Sequence, residues 1–160
     1  MALQDWKKLV AAPTAELLKK RGFRKSGWRF SADRAGAVMV VAFQSSQTTN
    51  HNHLKVTVNL SIHLRGLQDS WSGIGGAHWA QRVGRFMAVP RDHWWTCSSD
   101  EEANFAGEQI AALLEREALP EMERLASAEA LKALWAAGQS PGLTEKQRAD
   151  FLSMLIGKGS

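Results

Sequence analysis

Residues 54–64, LKVTVNLSIHL, alternate without interruption between apolar and polar side chains. Leu54, Val56, Val58, Leu60, Ile62 and Leu64 fall on one side of an extended chain. Lys55, Thr57, Asn59, Ser61 and His63 fall on the other. A period of two, rich in β-branched residues, describes a strand that is covered on one face and open on the other. The chain therefore owns a sheet with one apolar face and one hydrogen-bonding face, and its function is sought on the second.

The flanking segments supply the rest of such a sheet. Trp28–Asp33 alternates, Asp33-Arg34-Ala35-Gly36 has turn chemistry, and Ala37–Ser45 is apolar on both faces as a central strand would be. Pairing Ala37–Ser45 with Leu54–Leu64 so that Met39, Val41 and Phe43 share the core side with Val56, Val58 and Leu60 puts Gln44 on the polar side. There it would lie near Lys55, Thr57 or Asn59. Trp79–Met87 and Arg91–Thr96 are further strand candidates, and residues 66–78 form a glycine-rich loop.

Helical patterns bracket the sheet. Residues 3–21 carry an apolar stripe of Leu3, Trp6, Leu9, Val10, Leu17 and Leu18, interrupted by Pro13, which should kink the helix or open a second one. Gly22 is placed as its left-handed cap. Ser98 and Ser99 each precede a glutamate by three residues, a capping-box pattern, and helix is predicted from there to about Ala126 with a kink or division at Pro120. Leu131–Ala137 and a final helix capped by Thr144 and Gln147 follow. The order gives a single α+β domain over residues 1–160. It comprises an N-terminal helix, an antiparallel sheet of four to five strands within about 27–96, and a helical C-terminal third (about 99–157) packed on one face.

Composition narrows the setting. The chain has 160 residues, 44% of them apolar, enough for one core. No run approaches the ~20 apolar residues of a membrane span, and the charges in MALQDWKKLV argue against a secretory signal. The lone cysteine, Cys97, excludes an internal disulfide, so a reducing, cytoplasmic location is expected. Charge is uneven: residues 1–65 hold 11 Lys/Arg against 3 Asp/Glu, whereas residues 97–160 hold 6 against 11. Seven tryptophans are spread along the chain, each needing a partner for its indole N–H.

Several short motifs occur in a telling order: Gly22-Phe23, Phe43-Gln44-x-Ser46, Val58-Asn59-Leu60, Arg82-Val83-Gly84 and Trp94-Trp95. On these, which span about 22–95, the chain resembles a bacterial family, domain of unknown function 4304. The resemblance implies a bacterial, cytoplasmic, single-domain protein. The family has no assigned chemistry, so no catalytic residue is carried over. Some small bacterial proteins of similar architecture neutralise partner toxins, which suggests an immunity-type role by analogy of fold alone.

The residues themselves offer several candidate chemistries. The polar face presents Gln44, Lys55, Thr57, Asn59, Ser61 and His63 at two-residue spacing, suited to a small polar ligand or a partner's loop. With Trp71, Arg82 and the 66–80 loop it forms the expected contact surface. Asn59 is the most telling member, since asparagine is disfavoured in mid-strand. An enzyme using Gln44, Asn59, His63 and Arg82 is the competing class. A third is a nucleic-acid binder using Lys20, Arg21, Arg24, Lys25 and Arg29, a basic segment interleaved with Phe23 and Trp28.

Weaker signals complete the search. His51 and His53 lack the further ligands a zinc site needs. Cys97 lies too far along the chain from His93 for a local dyad, and although a following helix would lower its pKa, it reads best as a small buried thiol. Gly73-Ile74-Gly75-Gly76 lacks the lysine and hydroxyl of a phosphate-binding loop. No cofactor or metal is expected, and the domain is read as non-enzymatic.

Overall fold

A computed structural model describes residues 2–50, 52–67 and 77–158. The alternating segment is strand β4 (Leu54–Leu64), at the centre of a six-stranded antiparallel sheet. Its apolar set is buried, and Lys55, Asn59, Ser61 and His63 are half-buried on the opposite face. Strand β3 (Ala37–Ser45) pairs with it in the expected register: Met39 faces Ile62, Val41 faces Leu60, Phe43 faces Val58 and Gln44 faces Thr57.

Strand β2 (Arg29–Arg34) joins β3 through a two-residue turn in which both Ala35 and Gly36 have positive φ, the geometry that matches strand twist. A sixth strand that periodicity could not reveal, β1 (Arg24–Ser26), folds onto β2 around Gly27. All three of its residues are exposed, so no apolar pattern marks it.

The outer edge of β4 is shared by two short strands. Strand β5 (Trp79–Arg82) pairs with Asn59–Ile62, and β6 (Trp95–Cys97) pairs with Leu54–Val56. Both are shorter than the hydrophobic pattern predicts. After Arg82 the chain turns into a 3-10 helix at Val83–Phe86, and residues 87–94 run as a strap before rejoining the sheet. Gly84 makes this turn possible. A Cβ there would overlap the Arg91 carbonyl oxygen and lie 2.9 Å from the His93 nitrogen, so only glycine lets the strap close on the turn.

Helices seal the apolar face. Helix α1 (Ala2–Lys20) continues through Pro13 without dividing, and α2 (Asp100–Leu113) packs against it. The contact explains why the proline is tolerated. Pro13 has no N–H for the Leu9 carbonyl, and Gly107 of α2 lies against that notch. A Cβ on Gly107 would meet the Val10 oxygen at 2.7 Å and the Leu9 oxygen at 3.0 Å. Val10, Leu18, Ala103, Ala106 and Ile110 join the inward side chains of the sheet in one core.

Ser99 caps α2 by accepting from the Glu102 amide, while the Glu102 carboxylate accepts from the Ser98 amide one residue earlier than a simple capping box. Pro120 is accommodated by a π-helical turn at Leu114–Ala118, which leads directly into α3 (Leu119–Leu125). Helix α4 (Ala128–Ala136) starts three residues earlier than its apolar pattern, at the Ser127 cap. Helix α5 (Glu145–Lys158) begins at the reciprocal Thr144–Gln147 cap. The link between α4 and α5 passes beside β5, where the Ala80 amide donates to the Pro141 carbonyl. No helix among the described residues is long and apolar enough to cross a membrane.

Candidate binding site on the polar sheet face

Strand pairing lays the polar face out in ranks. One rank runs Arg29, Ala42, Asn59, Arg82 across β2, β3, β4 and β5. The next runs Ser31, Val40, Ser61, Ala80. Alanine at the second position of the first rank leaves space between two arginines whose Cα atoms lie three strand spacings apart, roughly 14 Å.

A continuous hydrogen-bond chain fixes part of this rank. Asn59 Nδ2 donates to Gln44 Oε1 at 2.6 Å, and Asn59 Oδ1 accepts from Arg82 Nε at 3.2 Å. Arg82 Nη1 in turn donates to Asp92 Oδ2 at 2.7 Å. The Arg82 guanidinium carbon lies 5.1 Å from the centre of the Trp94 ring, with Lys55 Nζ at 6.0 Å from the same ring. Nε and Nη1 are thus occupied by neighbours, and the cation keeps a fixed orientation. Beyond Asn59, Ser61 Oγ and His63 Nε2 are 3.0 Å apart.

Asn59, Ser61, His63, Arg82 and Asp92 line a cavity of about 610 Å³, whereas Gln44, Lys55 and Trp94 do not reach its wall. Its polar contributors include Arg29, Asn59, Ser61, His63, Arg82, Arg85 and Asp92, and Leu60, Ala77, Ala80 and Gly142 close the remainder. Gly142 is required by its position: its φ is +83°, and a Cβ would press on Ala80. The Arg29 and Arg85 side chains make no hydrogen bond or ion pair with any described residue, whereas that of Arg82 is tied to Asp92. The described lining therefore carries an excess of positive charge.

Thr57 is the exception on this face. It is fully buried, because the gap between β5 and β6 along the β4 edge is filled by the strap. Its hydroxyl donates to the His93 carbonyl at 2.8 Å. Thr57 thus anchors the strap and offers nothing to a ligand. Lys55 lies further along the strand, opposite Thr96, and reaches Trp94 rather than the cavity. Trp71, His51 and the glycine run at 73–76 lie outside the described residues.

The basic segment is dispersed by folding. Lys20 pairs with Glu16, Arg21 with Glu115 and Arg24 with Asp33. Arg65 also binds Asp33, and its guanidinium is the main cause that holds the Asp33 carboxyl below its ordinary pKa. Lys25 lines a separate groove with Lys7, Lys8 and Trp28, while Arg29 crosses to the polar face. Cys97 is fully buried. Burial, reinforced by Glu102, pushes its thiol up to about 11, so proximity to a helix start does not activate it. His93 stacks edge-on against Trp95 at 4.5 Å, and burial, followed by the Arg91 charge, lowers its pKa.

Asp92, Arg85 and Trp94 were not among the site residues expected from sequence. Asp92 and Arg85 carry no periodic signal, since they sit on a turn and a strap. Trp94 belongs to a motif that carries the family resemblance, as do Gln44, Asn59, Arg82 and Gly84. The structure brings those separated motifs together at one place.

Residues 14–124 match the model of a family described as Domain of unknown function (DUF4304). No curated protein and no solved structure matches the chain.

Proposed function

The chain belongs to that family, whose description assigns no activity, and we propose on the geometry of the site that it is a non-enzymatic domain that binds a small polar ligand. The observation that carries this reading is the Asn59–Arg82–Asp92 chain at the wall of the 610 Å³ cavity, held in place by Gln44 and Trp94. A volume of this size suits a small molecule, and polar groups already held in place lose little conformational freedom on binding. The same concavity favours a small ligand, or a single projecting side chain of a partner, over a broad protein surface. A cytoplasmic setting belongs to the same reading, supported by the lone cysteine and its burial, and a bacterial origin is proposed with it from the family resemblance alone.

A fragment screen followed by NMR tests the proposal. Fragments that shift the Asn59 and Ser61 amides in the native chain should lose binding in the Asn59→Leu, His63→Leu double variant while its melting transition stays cooperative. Fragments that bind that variant equally well would place the site elsewhere.

A second reading has one observation in its favour. Ser61 Oγ lies within 3.0 Å of His63 Nε2, the contact of a nucleophile with its base. If the pair is catalytic, a fluorophosphonate probe should label Ser61, and His63→Leu should abolish labelling. Absence of labelling in the native chain would leave the binding reading alone. Nucleic-acid binding through the basic segment has less support, since Lys20, Arg21 and Arg24 are each engaged with carboxylates.

A further inference from the structure

The cavity lining specifies its occupant more narrowly than polarity alone. Among the described lining residues, Arg29, Arg82 and Arg85 stand against one carboxylate, Asp92, an excess of two formal positive charges. Arg29 and Arg85 are solvent-exposed, so neither needs an anion for its own stability, but with Arg82 they give the cavity a basic rim that attracts one. Arg82 is positioned through Nε and Nη1, which leaves Nη2 without a hydrogen-bond partner among the described residues. Arg29 has no partner among the described residues and stands across Ala42 in the same rank.

Carboxylate and phosphate both satisfy arginine forks, but they differ in charge. A carboxylate carries one negative charge, a phosphodiester one, and a phosphomonoester about −1.5 to −2 at pH 7. Only the last matches the excess in the lining. The remaining walls fit the rest of such a molecule: Leu60, Ala77 and Ala80 supply a small apolar surface, and Ser61 with His63 supplies groups for hydroxyls or ester oxygens.

We infer that the ligand of this domain is a small phosphomonoester, its phosphate held between Arg29, Arg85 and the free end of Arg82. The inference rests on the binding reading above and narrows it to one ligand class.

Phenyl phosphate, benzoate and a short oligothymidylate serve as probes, titrated by calorimetry at low salt. Phenyl phosphate should bind at least about tenfold more tightly than benzoate, as expected for an added charge met by a second fork. Arg29→Gln should weaken phenyl phosphate by roughly tenfold or more. Arg29 is exposed and outside the Asn59 network, so this variant should fold normally. Arg24→Gln, at the sheet margin, should change nothing.

Equal affinity for benzoate and phenyl phosphate overturns the inference, as does an Arg29→Gln variant with unchanged affinity. Tighter binding of the oligothymidylate than of phenyl phosphate also overturns it, in favour of a nucleic-acid backbone. If neither anion binds while neutral fragments still require Asn59, the phosphate assignment falls and the binding reading stands. If nothing binds the cavity, both fall.

Discussion

The two faces of β4 are built from interleaved residues of one strand, yet different forces hold their neighbours in place. On the helix side, Leu60 and Ile62 are buried by apolar volume, and whatever fits that volume can seat there. On the polar side, Thr57 and Asn59 are seated by named partners: the His93 carbonyl for one, Gln44 and Arg82 for the other. The first kind of contact stabilises the domain without specifying what it does. The second kind contributes less to stability and aims particular donors at a cavity.

Substitutions one residue apart should expose that difference most strongly. Ile62→Ala removes a fully buried side chain from the core and should cost about 2–5 kcal/mol. Ser61→Ala, on the opposite face, removes one half-solvated hydrogen bond and should cost less than about 1 kcal/mol. Urea unfolding of both variants reads the contrast directly. Similar costs for the two would mean that the polar face is as deeply packed as the core, and the cavity would lose its meaning.

Each face also has a glycine at a close backbone approach, so the comparison can be sharpened at Gly107 and Gly84. Gly107→Ala pushes a methyl group into the Leu9 and Val10 carbonyls, and Gly84→Ala pushes one into the Arg91 carbonyl. Both clashes involve backbone, and overpacking of this kind typically costs about 1–3 kcal/mol. Their consequences should differ in place. Gly84→Ala should speed hydrogen exchange at the Arg91 amide, which donates to the Gly84 carbonyl at 3.1 Å, and should release Asp92 and Trp94 from Arg82. Gly107→Ala should destabilise the whole domain while leaving fragment binding intact below the unfolding transition. Protected Arg91 exchange in Gly84→Ala would show that the strap does not depend on that approach.

Sequence periodicity carried the fold a long way because the core is a local signal. The bounds of β3 and β4, the placing of Gln44 on the polar face and the terminal caps all follow from patterns a few residues long. What periodicity missed was set over longer distances. Strand β1 is fully exposed and has no apolar pattern to display. Pro13 reads as a break, and it is the distant Gly107 that accommodates it. Thr57 alternates in step with Asn59, but a strap 36 residues downstream buries it. Asp92 and Arg85, which decide the charge of the cavity, lie in segments with no periodicity. The polar face could therefore be located from sequence, whereas its cover and its charge balance required the folded chain.

The smallest effect tests whether the strap belongs energetically to the polar face. His93 is partly buried against Trp95 beside Arg91, and its pKa in the folded chain is lowered, chiefly by burial. A histidine harder to protonate when folded binds fewer protons in the native state than in the unfolded one. Its contribution to stability is therefore complete above the unfolded value near 6.5 and declines as pH falls below it. The Asp33 carboxyl, held down by Arg65, loses its contribution only as pH falls below its ordinary value of 3.8, so it adds nothing to a change seen between pH 7.5 and 5.5. The melting temperature should drop between pH 7.5 and 5.5, and His93→Gln should reduce that drop. Arg91 amide exchange in the native chain should accelerate over the same interval. If His93→Gln leaves the pH dependence unaltered, the strap is held by Thr57 and Gly84 without any contribution from the imidazole.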